Sequence, residues 1–186
     1  LALGSWGNPG LFRESFSSTV WQQLGPTPSG TTGAPLTGIQ LGEDGYYYAS
    51  DFYNIWREPA NTPPGTNAWV MLGTDQAEWW ESVVGGGDCM AGDLCAGIYT
   101  FAVGSDGWIY ASDSYNSVLY RLSISNPSGG WQPTGLQAWG RLQASGGYIY
   151  ALSTTTWTTI VRTPLSVLNG WTNIAGSNAS DFVVSS

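Results

Sequence analysis

Two six-residue segments carry the side chains of this chain that are best suited to binding a ligand. Residues 49–54 read Ala-Ser-Asp-Phe-Tyr-Asn, and residues 111–116 read Ala-Ser-Asp-Ser-Tyr-Asn. An aromatic ring packs on the C–H face of a pyranose, while carboxylate and amide groups exchange hydrogen bonds with its hydroxyls. The residue types therefore predict contacts to a sugar, and the candidate ligand-binding residues of the two segments are Asp51, Tyr53, Asn54, Asp113, Tyr115 and Asn116.

A structural interpretation of the same residues stays open beside this one. An Asp side chain also accepts backbone N–H bonds in a tight turn, so Asp51 and Asp113 can shape their loops without touching a ligand. The tyrosines that follow can then pack inward rather than face solvent. The sequence alone favours neither interpretation.

Composition excludes several classes of chemistry. The 186 residues include no histidine, and all five cationic residues are arginines. The lack of histidine removes His-based general bases, Ser-His-Asp and Cys-His nucleophiles and the common zinc sites that contain histidine. The formal net charge of −8 offers no positive field to nucleic acid or to an anionic membrane surface. We therefore expect no catalytic residue, no metal, no cofactor, no nucleic-acid partner and no membrane insertion.

Four copies of one pattern must position these side chains. In each copy an apolar pair precedes an arginine, and a tryptophan follows about ten residues later, a repetition typical of stacked repeat architectures. The arginines are Arg13, Arg57, Arg121 and Arg162, and the tryptophans are Trp21, Trp69, Trp131 and Trp171.

Each copy divides into four short strands, A to D. In residues 98–135, strand A is Tyr99–Val103, strand B is Trp108–Ser112, strand C includes Leu119–Arg121 and strand D starts at Trp131. The Asp106-Gly107 pair between strands A and B is a strong hairpin signal. The same order recurs in residues 36–73, with Tyr46–Ser50 as strand B, and in residues 140–176, with Tyr148–Leu152 as strand B.

The two ends of the chain are complementary. Residues 1–13 align without a gap to residues 150–162, so the chain is expected to start within a strand B, and residues 180–186 predict a strand A. Four-stranded units that cannot bury both faces alone stack around an axis. The predicted fold is all-β, a small β-propeller forming one domain over residues 1–186. Its four blades are 1–25 plus 180–186, 36–73, 98–135 and 140–176, with an insertion at 74–97.

The strand motif also resembles a known family. Asp-Gly-x-Ile-Tyr-Ala at residues 106–111, then Leu-Tyr-Arg at 119–121 and Gly-Trp at 130–131, is similar to the blades of tectonin and tachylectin-2-like propeller lectins. The resemblance covers all four copies. It implies a sugar-binding module without a cofactor, with one shallow site per blade or between blades.

The order of strands sorts the unusual residues between two faces. In an up-and-down blade the A–B and C–D connections lie on one face of the ring, and the B–C and D–A connections lie on the other. Every B–C loop carries an aromatic residue, which adds Trp6 and Trp157 to the candidate ligand-binding residues. The repeated arginines are expected to stack on rings, and the repeated tryptophans to pack between blades.

The insertion enters the face that carries the B–C loops. It contains Trp79 and Trp80, and Cys89 and Cys95 are expected to form a disulfide worth roughly 2 kcal/mol. It is expected either to plug the central channel or to contact a ligand. The Asn-X-Ser sequon predicts glycosylation at Asn178. Together with the scarcity of charge, these features favour a secreted or extracellular surface protein.

Three functions follow as hypotheses. The leading one is a non-enzymatic, lectin-like propeller that binds glycans or glycoproteins through repeated weak sites on the B–C face, strengthened by multivalency. The second is a polysaccharide-acting hydrolase or lyase that uses paired carboxylates, either Asp51 with Asp113 or Glu78 with Glu81. The third is an assembly protein that forms homo-oligomers through its terminal strands.

Overall fold

Antiparallel strands form nearly all the regular structure of the protein in the computed structural model. The model describes residues 10–13, 22–26, 36, 38–63, 65–73, 97–113, 115–153, 155–156, 158–175, 179 and 181–184. Within these ranges helix is limited to a 3-10 turn at Pro127–Gly129. The strands are β1 (Gly10–Arg13), β2 (Gln22–Pro26), β3 (Gly38–Leu41), β4 (Tyr46–Ser50), β5 (Ile55–Pro59), β6 (Val70–Met71), β7 (Ile98–Val103), β8 (Trp108–Asp113), β9 (Val118–Ser123), β10 (Gln132–Gln137), β11 (Trp139–Ser145), β12 (Tyr148–Leu152), β13 (Ile160–Pro164) and β14 (Thr172–Ala175).

Chain order and sheet order coincide, so each sheet is an up-and-down blade. Blade I is β3-β4-β5-β6, blade II is β7-β8-β9-β10 and blade III is β11-β12-β13-β14. Strands β1 and β2 form a further antiparallel pair, and every neighbouring pair in the blades is antiparallel as well. The expected all-β class and its four-stranded antiparallel units are confirmed.

The A–B turns are built as their sequences require. In blade I, Gly42–Gly45 closes with the Gly45 N–H donating to the Gly42 carbonyl at 3.1 Å, and Gly45 has a φ of 80°. Blade II repeats this turn at Gly104–Gly107, where Gly107 has a φ of 82°. A type I turn followed by a left-handed residue suits a three-residue hairpin loop, and glycine adopts that conformation at the least cost.

Both faces of blade II are buried against neighbouring blades. Ile109 and Ala111 of β8 belong to the core shared with blade I, while Tyr110 between them belongs to the core shared with blade III. Side chains alternate between the two faces of a strand, so a strand that is apolar at every position needs a partner on each side. The blades therefore stack face to face.

The tryptophan of each described blade belongs to an apolar cluster or packs beside one. Trp69 and Trp131 are buried, and Trp171 packs beside the core between blades II and III. The Trp171 indole N–H also donates to the Gln137 carbonyl of blade II at 2.7 Å. Trp131 and Trp171 confirm the expected packing between blades, Trp69 is buried among residues of its own blade, and Trp21 lies outside the described residues.

The described residues 181–184 do not form the regular strand A expected at 180–186, but they lie where the next strand A would follow β11. The Gln40 side chain of β3 accepts the N–H of Val103 in the next strand A, at 3.2 Å. Gln143 holds the same place in β11 as Gln40 in β3, since each pairs with the third residue of its strand B. Its side chain accepts the N–H of Val184 at 2.5 Å. Val184 therefore follows β11 as Val103 follows β3, while the expected strand B at residues 1–9 lies outside the described residues.

This placement predicts different effects for two neighbouring substitutions. Phe182 is 9% exposed, whereas Val183 is 78% exposed. Phe182→Ala should lower the free energy of unfolding by about 3 kcal/mol, because it removes a buried aromatic ring. The corresponding fall in melting temperature of about 6–12 °C is measurable by circular dichroism.

Val183→Ala is the matched control and should leave the melting temperature nearly unchanged. Equal effects of the two substitutions would show that the terminal segment does not take the place of a strand A.

Candidate ligand-binding face

The B–C loop of blade II is a tight turn built around the Asp113 carboxylate. One oxygen, Oδ1, accepts the backbone N–H groups of Tyr115 at 2.8 Å and of Asn116 at 2.7 Å. The other, Oδ2, accepts the N–H of Val118 at 2.7 Å. The side chain is 1% exposed. The carboxylate therefore fixes the loop from within.

Blade I repeats the arrangement with Asp51. Its Oδ1 accepts the N–H groups of Tyr53 at 3.2 Å and Asn54 at 2.8 Å, and its Oδ2 accepts the indole N–H of Trp56 at 3.3 Å. Asp51 is also 1% exposed. Both aspartates are thus engaged with their own loops, as the structural interpretation of the sequence expects. A direct bond from either carboxylate to a sugar would require these contacts to break.

The residues that follow the two aspartates differ in exposure. Tyr115 is 46% exposed and Asn116 is exposed, so this pair faces solvent on the B–C side of blade II. In blade I, Tyr53 packs against the core shared with blade II, and Asn54 is 7% exposed. The two loops share a backbone design, but only the loop of blade II presents its tyrosine and asparagine together.

The start of blade II covers the loop of blade I. The Ile98 N–H donates to the Phe52 carbonyl at 2.5 Å, and a side chain on Gly97 would overlap the Phe52 ring. Phe52 in turn meets the ring of Tyr53 edge to face, with 5.0 Å between ring centroids. These contacts between the start of blade II and the B–C loop of blade I keep Tyr53 packed against the protein.

The remaining predicted site residues lie outside the described part of the chain. They are Trp6 and Trp157 of the other two B–C loops, Cys89 and Cys95 of the expected disulfide, the expected glycosylation site Asn178, and Glu78 and Glu81 of the insertion.

The repeated arginines stack on aromatic rings of their own blades. Arg57 lies 4.9 Å from the ring centroid of Tyr46, and Arg121 lies 4.3 Å from that of Trp108. Arg162 is 4.4 Å from the Tyr148 ring. Each ring belongs to the first residue of strand B, immediately after the A–B turn. These cations therefore support the blade edge on the face opposite the B–C loops.

A tyrosine and an aspartate reinforce the same edge. The Tyr48 hydroxyl donates to Asp44 at 2.6 Å, and the Tyr110 hydroxyl donates to Asp106 at 2.7 Å. Burial, strengthened by the acceptor carboxylate, raises the pKa of both tyrosines well above the ordinary value. Both phenols therefore remain protonated donors near neutral pH.

A cavity of about 760 Å³ lies between blades I and II on this opposite face, and the sequence reasoning did not anticipate it. Its lining includes Glu43, Asp44, Arg57, Asp106 and Trp108. The signal that could have indicated it is the repeated Gly-x-Asp-Gly turn at residues 42–45 and 104–107, which brings carboxylates of adjacent blades to one groove.

A second pocket, of about 390 Å³, opens on the B–C side, where strand A begins in each blade. Gly38 of β3 pairs with Ser50, the last residue of β4 before the B–C loop, which fixes the side on which these strand ends lie. The lining includes residues of β3, β7 and β11 together with Asp181. The pocket therefore lies where four strand-A positions meet.

Glu43, Asp44 and Asp106 are the carboxylates that line the larger cavity, and two of them, Asp44 and Asp106, accept the hydroxyl groups of Tyr48 and Tyr110. Glu58 is 1% exposed, and burial raises its pKa, but it lines neither of the two cavities above.

No group of three or more metal-ligating side chains occurs in the part of the chain that the structure describes. Within that part, no helix is long and apolar enough to cross a bilayer.

Comparisons with known proteins support the fold and not a particular activity. No protein-family model matches the chain, and no curated protein matches it. It is similar to the crystal structure of virginiamycin B lyase from Staphylococcus aureus, with a TM-score of 0.53 and 13% identity over 94% of this chain. The chain covers 50% of the length of that lyase chain.

A second solved structure is described as showing how the de novo evolutionary emergence of a symmetrical protein is shaped by folding constraints. The similarity to it has a TM-score of 0.46 at 16% identity, over 92% of this chain and 72% of that one. With the blades described above, the comparison with the lyase establishes a β-propeller. The resemblance to tectonin and tachylectin-2-like lectins is thus supported at the level of the propeller fold.

The Asp113 geometry predicts a large cost for removing one carboxylate. Asp113→Ala would leave the N–H groups of Tyr115 and Asn116 without their acceptor and would remove one of the two acceptors of the Val118 N–H, so the free energy of unfolding should fall by about 2–4 kcal/mol. Urea unfolding followed by tryptophan fluorescence measures this change. Glu43→Ala is the control, because an exposed carboxylate on the opposite face should alter stability by no more than about 0.5 kcal/mol. Wild-type stability of Asp113→Ala would refute the turn-forming role.

Proposed function

We propose that this protein is a non-enzymatic, carbohydrate-binding β-propeller that recognises glycans or glycoproteins through the face carrying its B–C loops. The proposal extends to a secreted or extracellular setting, where a disulfide between Cys89 and Cys95 and a glycan on Asn178 would form. The propeller supplies the rigid support, and the loops supply the contacts.

One observation carries the proposal: the half-exposed Tyr115 ring stands beside the exposed Asn116 on a loop fixed by three N–H bonds to Asp113. A sugar ring needs an apolar plane next to amide donors and acceptors. A loop held in one conformation loses little entropy when it binds, because its order already exists in the free protein. Asp113 thus acts as a positioning residue.

The repeated B–C segments are the reason to expect several weak sites whose binding free energies add together. Blade I carries the same Asp-x-Tyr-Asn segment in a more covered form, and the aromatic residues Trp6 and Trp157 occupy the equivalent segments of the other two copies. Several weak sites on one face gain strength when a multivalent glycan bridges them. We therefore expect branched or clustered glycans to bind better than single sugars.

A polysaccharide-acting hydrolase or lyase is the alternative, and its described candidate pair, Asp51 with Asp113, does not favour it. A glycosidase needs two carboxyl groups that both reach the scissile bond. Asp51 and Asp113 are buried, accept N–H groups of their own loops and occupy equivalent places in two blades. Incubation with polysaccharides and assay for new reducing or unsaturated ends separates this alternative from binding.

The proposal predicts that Tyr115→Ala weakens glycan binding without unfolding the protein. Loss of a half-exposed ring that contacts the sugar should weaken binding roughly tenfold. Binding is measured on a glycan array and then by titration with the best ligand, and circular dichroism verifies that the melting temperature is retained.

Val167→Ala is the matched control, since Val167 is 60% exposed on the C–D connection of blade III, on the opposite face. It should leave binding unchanged. A folded wild-type protein that binds no glycan on the array would contradict the carbohydrate proposal. Equal weakening of binding by Tyr115→Ala and Val167→Ala would contradict the assignment of the face.

A further inference from the structure

Arg141 differs from the arginines of the repeat. Arg57, Arg121 and Arg162 each stack on the ring that begins strand B of their own blade. Arg141 instead lies in strand A of blade III and lines the pocket where the strand-A positions meet. Among the described arginine side chains it is therefore the one that brings a cation to that pocket.

The ion pair of Arg141 leaves much of its binding capacity open. One guanidinium nitrogen, Nη1, donates to Oδ2 of Asp181 at 3.1 Å, and the two side chains are 46% and 60% exposed. A pair this exposed contributes little to stability. A guanidinium group has five N–H donors arranged to grip a carboxylate with two parallel bonds. Asp181 uses one of the two terminal nitrogens in the structure.

The pocket also offers an aromatic surface and fixed walls. Tyr99, at the start of strand A of blade II, lines it and is 49% exposed. Gln40 bonds to the backbone of β7 through the Phe101 carbonyl at 2.5 Å, and the Leu142 N–H donates to the Thr100 hydroxyl at 3.2 Å. These bonds join the walls of adjacent blades, so the pocket exists before a ligand arrives.

We propose that this pocket binds a carboxylate-bearing sugar, a hexuronic acid residue of an acidic glycan, with Arg141 holding the carboxylate and Tyr99 contacting the ring. Its volume of about 390 Å³ is near the lower end of the roughly 300–1,000 Å³ typical of small-molecule sites, which suits a single ring. The carboxylate of the ligand approaches the guanidinium edge that Asp181 does not occupy.

This inference names a ligand class for the carbohydrate function proposed above and rests on it. It concerns a different group of residues, because Tyr115 and Asn116 of the B–C loop do not line the pocket. A neutral sugar can bind at the loop whether or not the pocket accepts an acidic one. The two proposals can therefore fail separately.

The test compares sugars that differ only at C6. The full chain is titrated, by isothermal calorimetry or ligand-observed NMR, with the methyl glycosides of glucuronic and galacturonic acid and with those of glucose and galactose as neutral counterparts. We expect at least one uronate to bind about tenfold more tightly than its neutral counterpart, as a charge-assisted bond to arginine implies. Arg141→Gln should abolish that preference and leave the melting temperature within about 2 °C.

Asp181→Asn distinguishes ligand binding from a structural role of the ion pair. Removal of the competing carboxylate should strengthen uronate binding roughly threefold, by releasing Arg141 and lowering local repulsion. If the ion pair only supports the fold, Arg141→Gln and Asp181→Asn should change uronate binding in the same direction, because each substitution breaks the pair. Such a result overturns the inference, as does a wild-type protein that binds uronates no better than neutral sugars. The glycan array with Tyr115→Ala then decides the proposed carbohydrate function independently.

Discussion

The structure depends on one constraint: each blade is a thin sheet with apolar side chains on both faces, so neither face can be left to solvent. In blade II the alternating residues Ile109, Tyr110 and Ala111 reach two different cores in turn. Each blade covers a face of its neighbour, and the strands A of consecutive blades come together, β3 beside β7 and β7 beside β11. Residues 181–184 continue that sequence beyond β11.

This stacking also divides the polar residues between two rims. On the rim with the A–B turns, an arginine stacks on the first ring of strand B in blades I to III, and in blades I and II a tyrosine donates to an aspartate of the turn, as in Arg121 on Trp108 and Tyr110 with Asp106. On the other rim, the B–C aspartates hold their loops from inside and turn the next side chains outward or inward according to the neighbouring blade. The rim with the B–C loops therefore presents exposed side chains, Tyr115 and Asn116, that a ligand can contact.

Sequence reasoning captured the features that are local in the chain. Strand B at Tyr46–Ser50 and Tyr148–Leu152 and the glycine turns follow from alternation and turn chemistry, and the structure has them at these positions. The difference in exposure between Tyr53 and Tyr115 could not be predicted from the sequence, because it depends on how Ile98 of the next blade packs on Phe52. The pocket at Arg141 depends in the same way on strands that are distant in sequence.

Amide chemical-shift mapping tests the central claim, that stacked blades present a ligand-binding face formed by the B–C loops and the starts of strands A. The labelled protein is titrated with the sugar that binds most strongly on the array. The account predicts that the largest shifts fall on residues 115–118 or on the pocket residues near 99–100 and 140–142. Largest shifts in the A–B turns, at residues 42–45 and 104–107, would contradict it and place the ligand in the groove of the opposite face.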